Sequence, residues 1–592
     1  MSSAILAAFR RSWAPVLVLV VTGVVYAYVA GTASSELGAR VPQDAYYNLM
    51  VQGWLKGQTS LALEAPAGLR ALPNPYDRMA NAAYRGLAYY GPRVHDLSYY
   101  HGKLYAYFSP LPAVVLFLPF HLLTGQWLSH QLACLIFCLI GLAAASATLW
   151  SLHERFFPAT GQDTLAVALL AVGFLNLGPL LLQRPDAWEV PIACAQAAWL
   201  LAVWCVWMGW WRPAGDWKWS LAAGCCAAVA IGSRPSTILC GVVLLVPVVR
   251  CFMAARENGH QRRSSALVAV LLPLLGTGIA LFAFNYARFG SWLEFGQKYQ
   301  LNQEPVHSES VNLFKASYLF YNLRLYTFAT DGWDAHFPFV RVEPLPPTPP
   351  GHGGGDTPFG LLSNLPAFWF MLGLCYAWRA LPATQRRTVF LFAGLLAVMM
   401  AACALPLLLF PGACVRYEFE FAGYGALLAA MGFLAIEAFS MGWTRRLLRV
   451  LWYFALFVSV AFCCLETAMM RAKYLTLESM ADERRHNSRA AIGHLQEALI
   501  LDPRSATNWS MLGIFHVTNG DISGAVRVYA QALEHHPDSA VFYANYGYCL
   551  MRVGRTDDAM QAFTRALELQ PNFPWAAAQL DEARLRTRAK VP

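Results

Sequence analysis

The feature that most constrains this chain is a succession of apolar blocks at 13–30, 128–152, 165–182, 190–210, 217–232, 237–249, 266–285, 359–377, 388–410, 422–439 and 447–465. Most approach the ~20 residues that carry a helix across a bilayer. Hydrocarbon offers backbone groups no water, so such blocks have to be helical. Composition agrees: 57% of the 592 residues are hydrophobic and 13% are Asp, Glu, Lys or Arg, about half the ~25% of a soluble protein. An ordinary soluble enzyme is excluded. The 14% aromatic content excludes a disordered chain as well.

The net charge of +9 does not point to nucleic acid, because the basic residues form short clusters between apolar blocks. With the N-terminus in the cytoplasm, Arg155, Arg212, Lys218, Arg250, Arg256, Arg262, Arg263, Arg379, Arg386, Arg387, Arg445, Arg446 and Arg449 fall on the cytoplasmic side. The opposite short connections hold Arg184, Arg234 and Arg416. That asymmetry orients the chain. Two long loops, 31–109 and 286–358, then share the external side with the C-terminal region. The two short blocks around Arg234 cross or re-enter together, which leaves the parity unchanged. Arg10 and Arg11 before block 13–30 imitate a signal peptide, but the block exceeds the usual ~7–15-residue apolar core, so an uncleaved first span is expected. Most of the 14 cysteines lie in apolar blocks and act as small hydrophobes.

The external loops interleave aromatics with charges, among them Tyr46, Tyr47, Trp54, Tyr76, Tyr84, Tyr89, Tyr90, Tyr99, Tyr100, Tyr105 and Tyr107. An interfacial belt explains such residues; a groove that stacks on sugar rings is the sharper reading, with Tyr46 and Tyr47 at its acceptor end. Residues 311–328 read as an interfacial amphipathic helix and 344–357 as a flexible connector.

Past 465 the composition becomes that of a soluble protein, and it repeats. A 34-residue period aligns Trp509, Leu512, Gly513, Ala525, Tyr529, Ala532 and Pro537 with Tyr543, Tyr546, Gly547, Ala559, Phe563, Ala566 and Pro571. Ala491, Leu495, Ala498 and Pro503 form an earlier partial copy. The pattern resembles the tetratricopeptide repeat, in which small residues let paired helices pack closely. A groove for a protein or peptide partner, or an array that caps or dimerises the membrane domain, follows equally well.

Ionisable residues near the ends of spans are functional candidates. On the external side these are Asp44, Asp96, Asp186, Glu189, Glu418 and Glu420; each alone is also explained as a helix cap or a solvated acid. Cations suited to a phosphate are Arg234 in Gly232-Ser233-Arg234-Pro235, then Arg288, Lys103 and Arg416. Arginine stays charged and grips two oxygens at once. No Walker loop is present. His352 among glycines is a poor metal ligand, and His535-His536 fits a helix C-terminus.

One first span, a large external loop with an early Asp44, then Gly102-Lys103-Leu104-Tyr105 leading into a short apolar helix at 110–124, is similar to the GT-C membrane glycosyltransferases. These include protein mannosyltransferases and lipid A aminoarabinose transferases. Asn285-Tyr286-Ala287-Arg288-Phe289-Gly290-Ser291, Glu294-Phe295-Gly296 with Tyr299, and Arg416-Tyr417-Glu418-Phe419 look like signatures of a bacterial branch. The resemblance covers roughly residues 10–465.

It implies an all-α chain: a polytopic GT-C-like membrane domain of about 11 spans over 1–468 and a short tetratricopeptide-repeat solenoid over 469–592. It further implies a bacterial inner-membrane enzyme with its repeats in the periplasm, moving a sugar from a polyprenyl-phosphate donor to an external acceptor. Asp44 would be the general base, Glu189 or Asp186 the second acid, Asp96 an acceptor-loop acid, and Arg234, Arg288, Lys103 and Arg416 the donor-phosphate ligands. Ala45 stands where the mannosyltransferases carry a second acid, which argues against a protein hydroxyl as acceptor. The expected partners are the lipid-linked sugar, membrane lipids and a protein or peptide at the repeats; the acids permit a divalent cation but identify none. Two rivals are a lipid-linked oligosaccharide ligase or polymerase, in which Arg234 and Arg416 matter more than Asp44, and a non-catalytic scaffold.

Overall fold

The computed structural model describes residues 3–33, 41–85, 94, 96–212, 217–258, 263–301, 314–329, 332–341, 344–353, 355 and 358–588. Tyr89, Tyr90, Arg262 and residues 311–313 lie outside them. The fold is all-α apart from two short two-stranded ribbons, and the chain divides into two compact units. One comprises Met1–Gly332 with Val342–Thr467, the other Trp333–Arg341 with Ala468–Pro592.

Eight described helices are long and apolar enough to cross a membrane: Trp13–Thr32, His130–Phe156, Gln162–Leu182, Glu189–Trp210, Leu267–Phe289, Ala383–Leu408, Val415–Phe439 and Gly442–Arg484. This is a multi-pass membrane protein. The other three expected spans are helical but not long regular α-helices. Block 217–232 is the 17-residue helix Trp217–Ser233. Block 237–249 becomes a ten-residue 3-10 run, Pro235–Leu244, continued by Leu245–Asn258; block 359–377 becomes Leu361–Asn364, the 3-10 run Pro366–Gly373 and Leu374–Ala380. A 3-10 helix rises ~2.0 Å per residue against ~1.5 Å for an α-helix. Block 237–249 therefore gains more length per residue than an α-helix would, which is part of why it reads as short.

Val415–Phe439 is buried from Glu418 to Glu437 and forms the centre of the membrane unit. Close approach explains how: a Cβ on Gly432 would collide with the Phe370 carbonyl, and one on Gly373 would crowd the Gly432 carbonyl, so two backbones touch where no side chain intervenes. Gln162–Leu182 breaks at Leu177, which has a φ of +63°. The buried Tyr26 hydroxyl supports the break, lying 2.5 Å from the Gly173 carbonyl and 2.8 Å from Asn176 Oδ1.

The two long loops of this unit, within 31–109 and 286–358, are tied together. Leu97–Tyr100 and Lys103–Ala106 pair antiparallel around His101 and Gly102, both at positive φ, as a two-residue hairpin turn requires. Leu301 N donates to the Leu97 carbonyl at 2.8 Å and Ser98 Oγ to the Gly296 carbonyl at 2.7 Å, so the second loop extends the first loop's ribbon. The connector at 344–353 is not slack. His352 is buried against Tyr318 and Tyr321 with its Nε2 3.0 Å from Asn322 Oδ1. Asn322 Nδ2 in turn caps the carbonyls of Leu407, Leu408 and Phe410 where the helix containing Pro406 ends. Burial holds the His352 imidazole below its ordinary pKa.

In the second unit, Ser488–Leu501, Ala506–Thr518, Ile522–His535, Ala540–Arg552, Thr556–Leu569 and Pro574–Arg588 follow one another as helical hairpins. Asn487, Ser505, Asp521 and Ser539 each accept a hydrogen bond at a helix N-terminus. A Cβ on Gly513 would strike the Tyr529 ring and one on Gly547 the Phe563 ring. Segment Trp333–Arg341 joins this unit through Arg504 Nη1, 2.9 Å from Asp334 Oδ1.

Candidate functional site

A cavity of about 490 Å³ opens in the membrane unit, lined by Asp96, Tyr107, Trp188, Arg234, Asn285, Arg288, Arg416 and Tyr417 among others. Its residues come from remote segments, each aimed for a local reason. Hairpin register sets Asp96 opposite Tyr107, because Leu97 pairs with Ala106. Burial pushes the Tyr107 phenol well above its ordinary pKa, and Asp96 beside it acts the same way. Trp188 Nε1 donates to Asp96 Oδ2 at 3.0 Å and Gln300 Nε2 to Asp96 Oδ1 at 3.3 Å.

Three arginines face this space and are held differently. Arg234 follows helix Trp217–Ser233, and its Nη2 and Nε lie 2.8 and 3.0 Å from Glu420 Oε1. Arg416, in the first turn of Val415–Phe439, has Nη1 3.8 Å from Glu189 Oε1. The Tyr417 ring centroid is 5.3 Å from the guanidinium carbons of both Arg234 and Arg416. Arg288 is 5% exposed, at the end of Leu267–Phe289; it donates to the Ala106 carbonyl at 2.9 Å and to Asn285 Oδ1 at 2.6 Å. Phe284 and Phe289 flank its guanidinium at 4.5 and 4.8 Å. Its buried Nε has no partner among the described residues. Rings, a carbonyl and an amide hold this cation without a direct carboxylate contact among the described residues, which suits it to an anion.

Of the residues singled out in the sequence, Asp96, Arg234, Arg288 and Arg416 meet at this cavity. Glu189 and Asp186 are buried, at 1% and 4% exposure, and are not in its lining. Glu189 backs Arg416 and accepts from Asp186 N at 3.2 Å, while Asp186 Oδ1 caps its own turn through Ala187 N at 2.6 Å. Lys103 is exposed at the turn end of the hairpin, three register steps from the Leu97–Ala106 pair, which at ~3.4 Å per residue is about 10 Å. Asp44 closes the exposed 3-10 turn Pro42–Asp44, outside the lining. Tyr46 and Tyr47 do not form an open groove. Tyr47 is 1% exposed and packs on Phe117 and His130, and Tyr46 lies behind Phe108. Both start the buried helix Tyr46–Leu55, where an aromatic contributes more as core than as a surface platform.

Tyr107 was named among the loop aromatics read as an interfacial belt or a sugar-stacking groove; Trp188, Tyr417 and Asn285 were not singled out as site residues. These three adjoin a residue that was considered or lie within its motif: Trp188 precedes Glu189, Tyr417 follows Arg416, and Asn285 opens the stretch containing Arg288. Among the described residues, no group of three or more His, Cys, Asp or Glu side chains is disposed to hold a metal ion.

Comparison with known proteins bears on the two units unequally. Residues 516–581 match the tetratricopeptide repeat family. The general transcriptional corepressor ssn6 of Schizosaccharomyces pombe is 34% identical over 85 residues, 14% of this chain and 8% of that protein. Among solved structures, ArnT from Cupriavidus metallidurans bound to undecaprenyl phosphate is 15% identical, over 89% of this chain and 80% of that one, with a TM-score of 0.41. The first TPR of Spaghetti (RPAP3) bound to an HSP90 peptide is 16% identical over 20% of this chain and 95% of that one, with a TM-score of 0.19.

Proposed function

We propose that this protein is a GT-C-type glycosyltransferase of the bacterial inner membrane, taking a sugar from a polyprenyl-phosphate donor and passing it to an acceptor on the periplasmic side. The observation that carries this reading is the convergence of Arg234, Arg288 and Arg416 with Asp96 on one cavity in the membrane unit. A departing lipid phosphate gains charge as the anomeric bond opens, and fixed guanidinium groups at that point stabilise it. An acceptor hydroxyl gives up its proton at the same stage and needs a carboxylate within reach. Asp44 is the base that the sequence resemblance suggests; Asp96 is the base that the cavity suggests. The periplasmic orientation rests on the distribution of basic residues.

The test is sugar transfer from lipid-linked donors in membranes carrying wild type, Asp44→Asn or Asp96→Asn at matched expression and folding. Loss of the general base is expected to cost about 100-fold or more, in one variant and not the other. The ligase or polymerase reading keeps a foothold because Arg234 and Arg416 line the cavity and Asp44 does not. It predicts that Arg234→Gln and Arg416→Gln abolish transfer while both carboxylate variants retain it. If no lipid-linked donor is consumed by wild type, the enzyme reading falls and a scaffold that recruits a protein or peptide through its repeats takes its place.

A further inference from the structure

We propose that Trp188 is a positioning residue that fixes the Asp96 carboxylate and the Arg416 guanidinium relative to each other, so that acid and cation meet one substrate in one geometry. The inference rests on reading the cavity as a donor site. Trp188 is the residue before helix Glu189–Trp210, so its backbone is anchored to a buried span. The indole then makes two kinds of contact with different parts of one rigid ring system. On its edge, Nε1–H donates to Asp96 Oδ2 at 3.0 Å. Beside the ring lie the guanidinium carbons of Arg416 at 6.0 Å and Arg184 at 5.1 Å from its centroid. Phe108 meets it edge-on, with centroids 6.2 Å apart at an interplanar angle of 81°.

Indole has one polar group, a donor, and therefore selects an acceptor such as a carboxylate. Its face is electron-rich and selects a cation. Two torsions thus act on both charged groups, which stand on a loop ribbon and on a separate helix; Gln300 holds the first as well, and Glu189 and Tyr417 the second, but among these partners the indole alone touches both. Two flanking cations also leave little of the ring for stacking on a sugar, so the indole serves the charges and not the carbohydrate directly.

The experiment uses the full chain in proteoliposomes, with polyprenyl phosphate binding measured by radiolabel and transfer kinetics measured on the same preparations. Trp188→Phe keeps a ring but loses the N–H. Its kcat is expected to fall about tenfold, the scale of one hydrogen bond to a charged group, with donor KM and lipid affinity changed by less than about twofold since the cation–ring contact remains. Trp188→Leu loses both contacts, and its lipid affinity is expected to weaken about fivefold in addition. Trp188→His restores a ring N–H and is expected to recover part of the kcat.

The decisive comparison is a double-mutant cycle: in an Asp96→Ala background no carboxylate remains to be oriented, so Trp188→Phe costs nothing further. A purely structural tryptophan would instead lower kcat and affinity together, and its effect would multiply with that of Asp96→Ala. Wild-type kcat in Trp188→Phe, or multiplying effects in the cycle, overturns the positioning role while leaving the donor site intact. A wild type that binds no polyprenyl phosphate overturns the donor site and this inference with it.

Discussion

In the repeat unit Gly513 and Gly547 each give way to an aromatic ring, Tyr529 and Phe563, sixteen positions further along. In the membrane unit Gly432 and Gly373 give way to backbone on a segment far away in sequence. The same absence of a Cβ serves both, but the partners differ in range. A solenoid packs each helix on its neighbours in the chain, so its contacts recur with the period of the repeat. A helical membrane bundle assembles segments in any order that buries small and polar residues together. Charge shows both ranges: pairs within the repeats include Arg555 with Asp558 and Arg586 with Glu582, three and four residues apart, whereas Arg234 finds Glu420 across 186 positions and Arg504 reaches Asp334 outside the repeats.

The sharpest way to break this contrast is to remove a remote partner. Glu420→Ala leaves the Arg234 guanidinium without its carboxylate at a site where the two side chains are 26% and 3% exposed. A broken buried pair costs ~3–5 kcal/mol, and the partial exposure of Arg234 sets the expectation near the low end, about 3 kcal/mol. Thermal unfolding of the detergent-purified chain, read in the presence and absence of polyprenyl phosphate, checks it. The loss should shrink with the lipid bound if a phosphate substitutes for the carboxylate. An unchanged midpoint would mean that the pair contributes little to stability.

A middle-sized effect belongs to the repeats. Gly547→Leu drives a side chain into the Phe563 ring, and overpacking of this kind costs about 1–3 kcal/mol. Because the solenoid propagates stability between neighbours, hydrogen exchange should rise over Ala540–Arg552 and Thr556–Leu569 together, with donor binding at the cavity unchanged. Protection lost throughout the membrane unit as well would show that the two regions do not respond separately.

The same division explains what the sequence revealed. The repeats were readable from Trp509 to Pro571 because each contact is repeated in phase. The membrane character was readable from apolar length alone. The cavity was only partly so: Arg234, Arg288, Arg416 and Asp96 stood out as charges near the ends of spans, but nothing local says that Glu420 holds the first or that Trp188 joins the last two. Those pairings depend on which helices are neighbours, a property of the bundle and not of any window of sequence. Blocks 237–249 and 359–377 departed from regular spans for a related reason, since 3-10 winding after Pro235 and Pro366 changes the rise per residue without changing the composition.

The smallest expected effect tests the local end of the contrast through a single cap. Asp521 Oδ1 accepts from Gly524 N at 2.8 Å at the start of Ile522–His535, and its other oxygen, Oδ2, lies 2.9 Å from His516 Nδ1. The Gly524 amide, with a further contribution from His516, lowers the Asp521 carboxyl below its ordinary value of 3.8. A carboxyl whose folded pKa is depressed contributes stability fully above its unfolded value, near pH 4, and loses it as the pH falls through the folded one. Asp521→Ala should cost about 1 kcal/mol at neutral pH, as a lost N-cap does. Asp521→Asn caps about as well but does not titrate, so the chain should keep its neutral-pH protection over Ile522–His535 and give up the part of its acid sensitivity that comes from this residue. Hydrogen exchange of that helix, compared with wild type at each pH from neutral to about 3, reads both effects. If the Asn variant follows the wild-type acid profile throughout, the cap acts through its dipole and hydrogen bond alone, and the charge at position 521 contributes nothing that titrates.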